Sequence, residues 1–143
     1  MPSIHRSALV MHSVSDMYNL INDVLAYPQF LPDCSDSKII SQDEGSMTAA
    51  LKISKGGVTK WFTTENTLVE NEQVVLNLVD GPFKQLTGSW DLTVLSEEAC
   101  KVTLSLEYEF SSKVLELAFG KIFNNIANNM VQAFTQQAKK VYG

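Results

Sequence analysis

From about residue 36 to residue 110, hydrophobic side chains recur at every second position, in segments parted by short turn-forming stretches. Met47, Ala49, Leu51 and Ile53 share one parity. So do Phe62, Thr64, Asn66 and Leu68, then Val74, Leu76 and Leu78, then Leu86, Gly88, Trp90, Leu92 and Val94, and finally Val102, Leu104, Leu106, Tyr108 and Phe110. A period of two belongs to a strand with one buried face. The stretches between, Glu44-Gly45-Ser46, Gly56-Gly57, Glu70-Asn71-Glu72, Asp80-Gly81-Pro82 and Ser96-Glu97-Glu98, are long enough only for antiparallel neighbours. Such a chain must form a meander that is wet on one face and dry on the other.

Something has to cover the dry face. Ser111-Ser112 offers a cap, and Leu115, Phe119, Ile122, Phe123, Ile126, Met130 and Phe134 then make one wide apolar stripe at helical spacing, with Lys121, Asn124, Asn128, Gln132 and Lys139 on the opposite side. The spacing predicts a helix to about Val141, laid across the sheet. A twisted sheet of many strands curls, and a straight helix touches a curled sheet best at its ends. The gap between them is either filled by aromatics or left as a hydrophobic cavity.

Ahead of the meander, residues 3 to 12 read as a strand, with Ile4, Ala8 and Val10 on one face and Arg6 at the same parity. Ser13 is placed as an N-cap with Asp16 in capping-box position, and Val14, Met17, Tyr18, Ile21, Val24 and Leu25 follow at helical spacing until Tyr27-Pro28 stops the helix. Between Pro28 and Pro32 stand Phe30 and Leu31, unusual residues for a simple reversal. Two readings stay open: a lid plug beside Gly81-Pro82-Phe83, or the closed end of a sealed core.

At 143 residues without a linker or repeat, the chain reads as one domain spanning 1–143. Sixteen acidic residues against eleven basic give a net charge of −5, which opposes sequence-independent binding to DNA or RNA backbones. The candidate exception is a lysine patch, Lys52, Lys55 and Lys60, around Gly56-Gly57; the plainer account is solvated hairpin charge. No apolar run reaches the roughly 20 residues of a membrane span, and the start lacks a secretory layout, which implies a cytoplasmic protein. Cys34 and Cys100 lack metal or disulfide spacing and read as reduced core thiols. His5 and His12, if both lie on the first strand, point to opposite faces and cannot share a metal or act as an acid and base pair.

Thr64 and Asn66 carry polar groups at an inward parity, where an unpaired group costs ~1–3 kcal/mol. They read either as a satisfied buried pair or as a polar handle for a ligand. An inward Arg6 would need a carboxylate or backbone oxygens. No Ser–His–Asp set, metal-ligand spacing or inward carboxylate pair occurs, since Glu107 and Glu109 oppose the parity of Tyr108, so the chain is read as a non-enzyme.

The segments YPQFLPDC (27–34), VDGPFKQLTGSW (79–90) and YEFSSKVLELAFGKIFNNIANNMVQAF (108–134) resemble, in order and separation, the START-like family that holds the bacterial ribosome-association toxins of the RatA type and the coenzyme Q-binding proteins. The resemblance implies an α+β helix-grip fold. In it a curved antiparallel sheet of about seven strands wraps around a long C-terminal helix, with two short N-terminal helices. It implies no required cofactor, and a cavity between sheet and helix for a hydrophobic small molecule, ubiquinone or another lipid. The implied binding wall is Phe30, Leu31, Leu51, Phe62, Thr64, Asn66, Leu76, Phe83, Trp90, Leu104, Tyr108, Phe119, Ile122, Ile126 and Met130. Quinone binding in support of respiration, with transient residence at the inner membrane surface, is the first reading. The alternative is a toxin, paired with an antitoxin protein, that binds the large ribosomal subunit and blocks subunit joining through Lys52, Lys55, Lys60 and an outward Trp61. A cyclase-like enzyme comes third, on fold analogy alone.

Overall fold

The computed structural model describes residues 3–143. Strand β1 (Ser3–Val10) is followed by helix α1 (Val14–Asn22), a 3-10 turn (Val24–Ala26) and the four-residue helix α2 (Tyr27–Phe30). Then come β2 (Cys34–Gln42), β3 (Ser46–Lys55), β4 (Val58–Val69), β5 (Gln73–Asp80), β6 (Phe83–Ser96), β7 (Ala99–Phe110) and the long helix α3 (Lys113–Tyr142). The strands form one 7-stranded antiparallel sheet in the order β1-β7-β6-β5-β4-β3-β2. Consecutive strands pair throughout the meander, as the short turns require, and β1 returns to the edge beside β7, with Ile4 opposite Leu106. The inward parities read from the sequence are the buried ones except at Val94, which is exposed where the β6–β7 register shifts near the end of β6: Met47, Ala49, Ile53, Phe62, Val74, Leu86, Trp90, Val102, Leu104, Leu106 and Tyr108 join one core with the buried face of α3.

Three local expectations are corrected. β1 ends at Val10, so His12 lies beyond the strand with its ring 6.0 Å from that of Tyr142, while His5 shares a 2.9 Å hydrogen bond with Ser105. The helix expected to run to Tyr27 stops at Asn22, where the Asp23 N–H turns back to the Leu20 carbonyl. Tyr27-Pro28 then starts a helix instead of ending one: Pro28 sits in the first turn of α2, where a missing N–H leaves no bond unmade. Proline disrupts the turn before it, and here that turn is already the loose 3-10 segment. Buried Tyr27 is held in helical geometry by its hydroxyl, which donates to the Ile21 carbonyl.

The caps behave as expected. Ser13 Oγ accepts from the Asp16 N–H at 3.1 Å, and Ser112 Oγ accepts from the Leu115 N–H at 3.1 Å. Helix α3 buries Phe119, Gly120, Phe123, Ile126, Ala127, Val131, Phe134 and Ala138. Its buried face is therefore rotated from the expected stripe: Leu115, Ile122 and Met130 are only half-buried. Small residues at 120, 127 and 138 let the helix lie close to its neighbours, which a pattern built on large side chains misses.

Candidate functional site

Helix α3 is clamped at two aromatic ends. At its first half, Phe123 packs on Phe83 (4.9 Å between ring centroids), Tyr108 (4.9 Å), Phe62 (5.8 Å) and Phe119 (6.0 Å), and Phe83 stacks on Phe110 at 5.1 Å. Further along, Phe134 is met by Trp90 (4.9 Å), Phe30 (5.1 Å) and Tyr27 (5.2 Å). Phe123 and Phe134 are about 16 Å apart along a helix rising 1.5 Å per residue. Phe30 and Phe83 therefore close opposite ends, and of the two readings open for Phe30-Leu31 the lid plug beside Gly81-Pro82-Phe83 is not formed.

Between the ends lies a cavity of about 70 Å³. Of the residues expected to wall it, Leu31, Leu51, Phe62, Thr64, Asn66, Leu76, Trp90, Leu104, Ile126 and Met130 do so. Phe83, Tyr108 and Phe119 do not, because they are consumed in the aromatic cluster; Phe30 packs against Phe134 instead, and Ile122 is on α3 outside the lining. The wall also includes Val24, Tyr27, Ala49, Ile53, Leu86, Leu106, Phe123 and Ala127. Ala49, Ile53, Leu86 and Leu106 already stood at inward parity in the sequence; Val24 stood on the apolar stripe of the N-terminal helix, but nothing there placed it or Tyr27 at the cavity.

The lining is apolar apart from three groups. Thr64 Oγ1 donates to Asn66 Oδ1 at 2.7 Å, which satisfies the hydroxyl and one end of the amide inside a buried wall. The Asn66 nitrogen has no protein partner among the described residues and remains a donor facing the cavity's contents. The third is the Tyr27 hydroxyl, already turned to Ile21; burial, then the nearby Cys34 and Asp23, push its pKa far up, so it stays a neutral phenol. Burial likewise pushes the Cys34 thiol up to about 11, and Cys100 is raised by the same cause. No charged side chain lines the cavity, so it suits a neutral apolar molecule with at most one or two polar atoms. Among the described residues no group of three or more His, Cys, Asp or Glu could hold a metal ion. Arg6, at inward parity, reaches over the sheet margin to α3, donating to Asn128 Oδ1 at 2.7 Å and to its neighbour's carbonyl, the His5 oxygen, at 3.1 Å.

The expected lysine patch is divided. Lys55 pairs with Asp33 at 3.7 Å, and Lys60, across from the buried Ile53, lies on the other face of the sheet from Lys52, which stands directly across from Trp61. Trp61 faces outward as expected and stays exposed, with the Lys38 ammonium 4.8 Å from its ring centroid in a cation–π contact.

With that geometry established, comparison with known proteins places the chain. The family model described as polyketide cyclase / dehydrase and lipid transport matches residues 10–135, from the end of β1 into α3. The chain belongs to this family. Family members close in sequence include the ribosome association toxin RatA of Escherichia coli (strain K12), 54% identical over 142 residues, which covers 99% of this chain and 90% of that protein. The mitochondrial coenzyme Q-binding protein COQ10 homolog B of Xenopus laevis is 28% identical over 141 residues, covering 96% of this chain and 58% of that protein. In fold, the crystal structure of the ZhuI aromatase/cyclase from Streptomyces sp. R1128 superposes with a TM-score of 0.86 at 13% identity, covering 99% of this chain and 96% of that one. The family fold is START-like, with the seven-stranded sheet and long C-terminal helix expected from the sequence. No helix among the described residues is long and apolar enough to cross a membrane.

Proposed function

We propose that this START-like protein acts by associating with the ribosome, binding the large subunit so that it cannot join the small one. The observation that carries this reading is the 54% identity to a ribosome association toxin over 99% of the chain, a span that takes in the surface as well as the core. This reverses the order in which the sequence alone ranks the two readings. In a sucrose gradient with separated subunits, the protein is expected to co-migrate with large subunits and to lower the joined-ribosome peak as its concentration rises. A protein that stays at the top of the gradient and leaves the peak unchanged would sink the reading.

A second reading is favoured by the cavity and by the coenzyme Q-binding relative: a neutral apolar ligand, ubiquinone or another isoprenoid, seated against Asn66. The cavity's 70 Å³ is well below the ~300–1,000 Å³ of pockets that enclose drug-sized ligands, so an isoprenoid requires the aromatic end at α2 to part from Phe134. Organic extraction and mass spectrometry of detergent-free protein is expected to recover lipid from wild type, and none from Ile126→Trp, whose ring fills the space. Equal recovery from both would remove the cavity as the binding site.

A further inference from the structure

Beyond Glu116, in the first turn of α3, every charged residue is basic. All 16 acidic residues lie at or before Glu116, while Lys121, Lys139 and Lys140 follow it. Between Lys121 and Lys139 the helix has no charged residue at all. Its solvent side is instead built of amides: Asn124, Asn125, Asn128, Asn129, Gln132 and Gln136 are all exposed. At 100° per residue these amides and the three lysines fall within one stripe less than half the circumference wide, running about 28 Å from Lys121 to Lys140. Arg6 from β1 joins its margin through Asn128. Asp16 and Asp23 act on Tyr142 at the end of the helix, and Glu116 stands on α3 more than a turn before Lys121.

Exposed faces of long helices are ordinarily charged in both signs, so an acid-free amide stripe in a protein of net charge −5 calls for an explanation. Amides donate and accept, which suits 2′-hydroxyls, base edges and phosphate oxygens, and cations around them suit the backbone. Asn124 Oδ1 accepts from the Tyr108 hydroxyl, Asn128 Nδ2 donates to the Asn124 carbonyl and Asn129 Nδ2 to the Asn125 carbonyl, each of these two at 2.8 Å, whereas the side chains of Gln132 and Gln136 make no hydrogen bond among the described residues and are free for a partner. We propose that this stripe of α3, flanked by Arg6, Lys121, Lys139 and Lys140, is a docking surface for structured RNA. The proposal rests on the ribosome reading and names the surface that would carry it; it displaces the Lys52, Lys55 and Lys60 patch from that role.

The test uses the full chain with two probes, purified large subunits and protein-free large-subunit RNA. Gln132→Glu/Gln136→Glu is expected to weaken binding to both by tenfold or more, Gln132→Lys to tighten it, and Lys52→Glu/Lys60→Glu to leave it unchanged. Opposite shifts from glutamate and lysine at one exposed site exclude a folding defect as the cause. Four cations on phosphate predict a log–log salt slope of about −3 for the wild type. Wild-type affinity in the glutamate variant overturns the surface while the ribosome reading stands. Binding to intact subunits but not to protein-free RNA overturns RNA as the partner. Failure of the wild type to bind either probe removes both proposals.

Discussion

Phe123→Ala is expected to destabilise the protein by about 4 kcal/mol, lowering the thermal midpoint by roughly 10–15 °C. Phe123 meets Phe62, Phe83, Tyr108, Phe110 and Phe119, and it also lines the central cavity, so its removal strips one aromatic cluster of its hub and joins two spaces into one. Enlarged apolar cavities of this kind stay dry and accept small aromatic molecules. Benzene is therefore expected to raise the midpoint of the variant more than that of the wild type, measured by calorimetry. A loss below 1 kcal/mol would mean that the rings around Phe123 can collapse inward, and the clamp described for α3 would be wrong.

Gly88→Val is the second large effect. A Cβ on Gly88 would stand 2.2 Å from the Ser105 carbonyl oxygen, 2.6 Å from Leu106 Cδ2 and 3.1 Å from Leu106 Cα. Two of those three atoms are backbone and cannot swing aside, so β6 and β7 must separate where they pair. The cost is expected to be about 3 kcal/mol or more, at the upper end of overpacking, and to appear as loss of the folded signal or a steep fall in the urea midpoint. Thr87→Val, at the neighbouring exposed position, serves as the control and should change stability by less than ~0.5 kcal/mol.

Gly88 also shows where sequence reading succeeds and where it stops. Its parity with Leu86 and Trp90 was legible, and so was the whole meander, because alternation is a local signal that every strand repeats. What no local signal carries is the distance between elements. Phe83, Tyr108 and Phe119 were assigned to the cavity wall by parity and stripe, yet they pack on one another, since parity gives the face of a sheet and not the position along it. The Phe30 error has the same origin: its burial was legible, its contact with Phe134 across more than a hundred residues was not. Lys55 was read as part of a patch because its neighbours in sequence are lysines, whereas Asp33, its partner, arrives from the loop before β2. The Thr64–Asn66 pair was the opposite case. Two polar groups at successive inward positions on one strand lie close enough to bond, so their mutual hydrogen bond was open to a reading before any fold was known, although it satisfies only one end of the Asn66 amide.

The pairing of β1 with β7 has a consequence for the order in which the molecule can be made. Ile4 lies opposite Leu106, so β1 waits as an unpaired edge until β7, about a hundred residues later, has been synthesised. The meander can assemble hairpin by hairpin as it emerges, but its dry face stays uncovered until α3, the last element, is complete. The helix that shuts the core is thus made after every strand it covers, and the amide stripe on its outer side cannot form before the whole sheet has been synthesised.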